Sequence, residues 1–135
     1  MKTIEVVAAI ILTNGKVLCM QRNHSKYDYV SHKFEFPGGK VEPGEIGSIA
    51  LMREISEEMD LKLTVNEQDY FMTVDHEYPD FNLIMHAYLC RTDRIDFKMN
   101  EHIAAVWSTR DTIKDLDWAG ADVPIVEKLV TEDII

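Results

Sequence analysis

The stretch from Gly38 to Leu61, GGKVEPGEIGSIALMREISEEMDL, constrains this chain more than any other. It opens on a glycine turn and passes into a segment of helical period that starts near Gly47. At about 100° per residue, Ile49, Met52, Ile55 and Met59 fall on one side, the side expected to be buried. Glu54, Glu57 and Glu58 fall on the other, within one turn of each other. Carboxylates this close repel in isolation. A divalent cation would convert that repulsion into coordination, because carboxylate oxygens suit Mg²⁺ and Mn²⁺. A solvated acidic helix face carries the same charge, so charge alone leaves both readings open.

The spacing separates them. Gly39, five residues, Glu45, seven residues, then Arg53-Glu54-Ile55-Ser56-Glu57-Glu58-Met59-Asp60-Leu61 resembles the Nudix hydrolase signature at eight defining positions over 23 residues. The one departure is Asp60, where the signature has a glycine. That position ends the helix, where a left-handed residue is expected; Asp tolerates this conformation at some strain. The flanking FEFPGGKVEPGE is similar to the MutT branch, which hydrolyses nucleoside triphosphates.

The resemblance implies site residues. Glu54, Glu57 and Glu58 would bind Mg²⁺, with Mn²⁺ as a substitute, and the Gly38 carbonyl would join them. Arg53 would orient the carboxylates through salt bridges, as a guanidinium fork can. Glu45 would do the same from the loop, or bind metal through water. Glu101, six residues before Trp107, stands where MutT-like proteins carry a glutamate that reaches the metal. Glu54 and Glu101 are both candidates for the general base. Arg22, at the end of a strand, is either a surface charge or a phosphate contact. The base pocket falls to Phe36, Asp80, Phe81 and Asp122. The oxidised-guanine member of the family has arginine at the position of Phe81 and asparagine at that of Asp122, so 8-oxo-dGTP is not singled out here. An ionised Asp122 accepts hydrogen bonds only, and so needs a donor edge such as the cytosine amino group. It could equally cap the last helix. No histidine pair has ligand spacing; His102, beside Glu101, could touch the site but reads more readily as a surface residue.

The rest of the chain frames this site. Ile4 to Leu12 reads as a buried strand, Asn14-Gly15 as a hairpin turn and Lys16 to Arg22 as its return. Tyr27 to His32 reads as an irregular loop over the site, and Pro37-Gly38-Gly39 as a tight turn. Strands are expected at Leu61 to Val65, Tyr70 to His76, Asn82 to Cys90 and Ala104 to Ser108, with a polar loop over 92–100. Helices are expected at Asp111 to Leu116 and Val123 to Val130. Strands flanked by helices predict an α/β/α sandwich around a mixed sheet, the Nudix architecture, as one domain over residues 1–135.

Fourteen basic against 24 acidic residues leave a net charge of −10. Nucleic-acid polymers and anionic membranes need a basic footprint, so the expected partner is a small nucleotide bridged by metal. Cys19 and Cys90 lie in apolar runs without ligand spacing and read as reduced core thiols of a cytoplasmic protein, monomeric or homodimeric. No apolar run approaches the ~18 residues of a membrane span. The function implied is Mg²⁺-dependent hydrolysis of nucleoside triphosphates to a monophosphate and pyrophosphate. The rivals are a nucleotide-sugar or dinucleoside polyphosphate hydrolase and a catalytically silent nucleotide-binding module.

Overall fold

A computed structural model of the chain describes residues 1–94 and 96–135. Ile95, inside the expected polar loop, lies outside the described residues. Strands β1 (Thr3–Thr13) and β2 (Lys16–Arg22) form the expected hairpin. Its turn residues Asn14 and Gly15 have φ of 48° and 73°, the left-handed pair that such a turn demands. Strands β3 (Phe34–Glu35) and β4 (Gly38–Lys40) lead to helix α1 (Gly47–Met59). Then come β5 (Tyr70–Glu77), β6 (Asn82–Arg91), β7 (His102–Ser108) and helix α2 (Val123–Thr131).

The sheet is mixed. β1 and β6 run parallel through its centre, and the other pairings are antiparallel: β5 with β6, β2 with β1, β3 and β7, and β4 with β1. Helices cover both faces, so β1 is buried continuously from Val7 to Leu12, as a two-sided central strand must be. The side-chain period of two then divides it. Val7, Ala9 and Ile11 face Leu51, Ile55 and Met59 of α1. Ala8, Ile10 and Leu12 face Ile125, Val126 and Leu129 of α2. Each fully buried Leu or Ile contributes about 1.5–3 kcal/mol over exposure. The expected α/β/α sandwich is what forms.

Four expectations are corrected. Ile49 is half exposed, while Ala50, Leu51 and Glu58 are buried. The apolar face of α1 is therefore rotated: Leu51, Ile55 and Glu58 share an arc of about 60°, which places one acid on the core side. Pro37-Gly38-Gly39 is not a tight turn. Gly38 enters β4 opposite Ala8, and a side chain there would land on the Val7 carbonyl, so the glycine serves close backbone approach. Leu61 to Val65 forms no strand, although Leu61, Leu63 and Val65 are buried against the α1 core. They pack by alternation without a ladder partner. Asp111 to Leu116 holds only a single 3₁₀ turn, Ile113–Asp115, because just one residue of it, Ile113, is buried to support a helix.

Asp60 adopts φ 51°, ψ 38° and its N–H donates to the Ser56 carbonyl. The aspartate takes the left-handed position that the signature gives to glycine, and the helix ends there. Among the described residues no helix is long and apolar enough to cross a membrane.

Candidate active site

The C-terminal end of α1 opens onto a cleft of about 610 Å³ between the sheet and the loops before β3 and β7. Backbone bonding brings the β7 loop there. Lys98 N–H donates to the Met59 carbonyl, Asn100 N–H to that of Glu58 and the Asn100 side-chain amide to that of Glu57. These three bonds satisfy carbonyls that a helix end leaves unpaired, and they deliver the next residue, Glu101, against Glu58.

Glu58 is 8% exposed, and its Oε2 is buried without a hydrogen-bond partner. Its carboxyl pKa is pushed up, first by burial and then by the charges of Glu101 and Glu54. Such a group must be met by a proton or a cation. Glu54, Glu58, Glu101 and Gly38 all line the cleft. An all-oxygen donor set with an orphaned carboxylate oxygen fits a hard divalent cation. The set is not drawn closed: among the described residues no three acid, histidine or cysteine side chains converge as ligands. Glu57 stands apart, 60% exposed and turned toward Arg53.

Arg53 holds the acids in place. Its Nε and Nη2 donate to the two oxygens of Glu45 at 2.8 and 2.9 Å, and its Nη1 donates to Glu54 at 2.9 Å. Nη1 also reaches Glu57 at 3.4 Å, and Nη2 reaches the Lys40 carbonyl of β4 at 3.1 Å. The guanidinium holds the Glu45 carboxyl down to about 2. Glu54 lies beside Gly39, where any side chain would collide with its carboxylate.

The opposite end of the cleft is built by the segment after β7. Phe34 N–H donates to the Asp117 carbonyl and Ala119 N–H to that of Phe34. Ala121 N–H donates to the Tyr78 hydroxyl at 2.9 Å. Asp122 follows, 5% exposed, with Oδ1 accepting the Phe36 N–H at 3.1 Å. Its side chain makes no capping bond to α2, so the alternative role as a helix cap is not seen. Burial drives its pKa well above the carboxylate range, and the charge of Glu35 adds to this. A neutral Asp122 offers a donor as well as an acceptor, which widens the edges it can read beyond a donor-only partner. Phe36 is buried against Trp118, with ring centroids 4.7 Å apart. Phe81 packs on Tyr78 and Tyr27. Asp80 is exposed at the rim and accepts the Tyr29 hydroxyl at 2.7 Å.

Between the two ends lies a group that the sequence reading missed. Glu35 accepts Arg22 Nη1 at 3.0 Å through one oxygen and pairs with His102 Nε2 at 2.8 Å through the other. His102 is not a surface residue: its side chain is 6% exposed. Arg22, Glu35 and His102 all line the cleft, as do Tyr27 and Tyr78. The only local signal was Glu35 as the one acid in an aromatic alternation. The 67-residue separation of its histidine partner hid the rest.

Comparison with known proteins bears on the family and the fold. The NUDIX domain matches residues 2–129. The CTP pyrophosphohydrolase of Escherichia coli K12 is 38% identical over 127 residues, 94% of this chain and 91% of that protein. The 8-oxo-dGTP diphosphatase of the same organism is 26% identical over 129 residues, 96% and 98% of the two chains. The solution structure of the E. coli ORF135 protein superposes with a TM-score of 0.82 at 35% identity, covering 98% of this chain and 92% of that one.

Proposed function

The chain belongs to the Nudix family, and we propose that it is a Mg²⁺-dependent nucleoside triphosphate pyrophosphohydrolase of the nucleotide pool, acting as one domain over residues 1–135. The observation that carries this reading is the buried Glu58 carboxyl beside Glu101, with one oxygen left unpartnered, in the same cleft as Asp122. One end suits a cation-bound phosphate chain and the other a base. The relatives named for CTP and for 8-oxo-dGTP support the substrate class.

Glu54, Glu57, Glu58, Glu101 and the Gly38 carbonyl would hold Mg²⁺, with Mn²⁺ as substitute, and Glu57 would turn inward to do so. The metal would neutralise phosphate oxygens and the leaving group. Arg53 keeps Glu54 directed at the cleft, and Glu54 or Glu101 takes the proton from the attacking water. Arg22 lines the cleft with its side chain 39% exposed and presents its guanidinium to the phosphates. Phe36 and Phe81 border the base, Asp80 closes the rim and Asp122 reads the base edge. The net charge of −10 argues against nucleic-acid polymers and membranes as partners. Cys19 and Cys90 are free, and burial pushes both thiols up to about 12. They are inert core residues, in keeping with a cytoplasmic enzyme.

Hydrolysis in ¹⁸O-water tests the reaction. One step should release pyrophosphate from CTP or dCTP, with the label in pyrophosphate. Label in the monophosphate, or sequential release of orthophosphate, would contradict this chemistry.

Asp122 should govern choice of base more than rate. A hydrogen bond from a buried acid contributes about 0.5–1.5 kcal/mol, and its loss leaves the partner unsatisfied. Asp122→Ala should lower kcat/KM roughly ten-fold on the preferred base and less on poor ones. Asp122→Asn supplies the donor and acceptor of a neutral acid and should preserve much of the preference. Measuring kcat/KM for CTP, dCTP, dGTP and 8-oxo-dGTP checks this. An equal fall on all four would make Asp122 a structural residue.

A further inference from the structure

On the triphosphate reading above, we infer that Glu35 is a positioning residue that couples the phosphate-binding arginine to the Glu101 loop, with His102 as its second arm. Three separate elements meet at this carboxylate. Arg22 ends β2, Glu35 ends β3 and His102 begins β7. Met20 pairs with Glu35 across β2 and β3. The ladder between β2 and β7 shifts register between Gln21 and Arg22, which sets Arg22 opposite His102. An irregularity at a strand end re-aims side chains, and here it brings a cation and an imidazole onto one acid.

Both Glu35 oxygens are used, Oε1 on Arg22 and Oε2 on His102. The bond to Nη1 orients the guanidinium of Arg22, which lines the cleft. The second bond acts on the opposite side. Glu101 sits between two anchors, Asn100 bonded to α1 and His102 bonded to Glu35. Release of His102 frees one of them. Glu35 thus acts on substrate binding through Arg22 and on turnover through His102, without touching the reacting atoms.

A bland alternative exists: Glu35 merely neutralises a half-buried arginine. The His102 arm distinguishes the two, and the double-variant cycle shows whether Glu35 acts on binding through Arg22. Binding of α,β-methylene CTP by calorimetry, with kcat on CTP, is measured for wild type, Glu35→Gln, Arg22→Ala, the double variant, His102→Gln and His102→Phe. Melting temperatures confirm that each is folded. Glu35→Gln should weaken analogue binding roughly ten-fold in wild type and less than about two-fold on Arg22→Ala. His102→Phe should lower kcat roughly ten-fold with little change in analogue affinity, and His102→Gln, which restores a donor, should recover it to within about three-fold. An equal Glu35→Gln penalty in both backgrounds, or equal losses for Phe and Gln at 102, overturns the inference while wild type remains active. A wild type that binds no analogue and cleaves none of CTP, dCTP, dGTP and 8-oxo-dGTP overturns the triphosphate reading itself.

Discussion

Glu58→Gln should lower kcat by at least about a hundred-fold and, at the same time, stabilise the metal-free protein. The two effects share one cause. Glu58 is a buried acid facing Glu101 and Glu54, and its pKa rises from the ordinary 4.5 toward about 9. Below the lower value both folded and unfolded chains carry the proton, and the folded state bears no penalty. As pH rises, the unfolded chain ionises freely while the native site resists, so stability falls until the folded pKa is passed. The metal-free protein should therefore melt at progressively lower temperature between pH 5 and 9. Glu58→Gln should flatten that slope. Asp122 shifts in the same direction, so part of the slope remains. Mg²⁺ should raise the melting temperature of wild type at pH 8 and leave Glu58→Gln nearly unchanged, since a ligand stabilises only the state that binds it. Thermal melts with EDTA or Mg²⁺, read beside turnover, check all three expectations. Equal stabilisation of both proteins by Mg²⁺ would remove Glu58 from the metal site.

The legible parts of this chain were those whose causes are local. The Asn14-Gly15 turn, the return strand Lys16–Arg22 and the start of α1 at Gly47 follow from dihedral demands and nearby periodicity. Asp60 was legible as a left-handed stop for the same reason. The phase of α1 was not. Ile49 looks apolar enough to be buried, but the sheet lies against Leu51 and Ile55, and Glu58 shares their side of the helix. Hydrophobicity says which residues can be buried; the partner surface decides which are. Leu61, Leu63 and Val65 misled in the other direction, because alternation signals one buried face and not a ladder partner. Within the site, the signature marked the acids on α1 and the arginine that orients them. The Glu35 pairings with Arg22 and His102 span 13 and 67 residues, and strand register alone brings them together.

Arg53→Lys should cost nearly as much as Arg53→Ala, about 10–100-fold in both kcat and Mn²⁺ affinity. Charge is not what the site takes from this residue. The guanidinium spreads its donors over both oxygens of Glu45, one of Glu54, one of Glu57 and the Lys40 carbonyl. Those acceptors belong to the loop before α1, to α1 itself and to β4, so one planar group sets the distance between helix and strand. An ammonium is a point with three donors and cannot bridge them in a plane. Glu54 would then be free to swing out of its place beside Gly39 and away from the cleft, and Glu45 would lose the two-pronged hydrogen bond that holds its carboxyl near 2. Glu45→Gln removes one arm of the fork and should fall between wild type and Arg53→Lys. Titration of Mn²⁺ by electron paramagnetic resonance, with kcat measured at saturating metal, separates orientation from simple affinity. If orientation is the role, kcat stays depressed after the metal sites are filled. Full recovery of kcat at high Mn²⁺ in Arg53→Lys would mean that positive charge alone suffices and that the fork geometry is incidental.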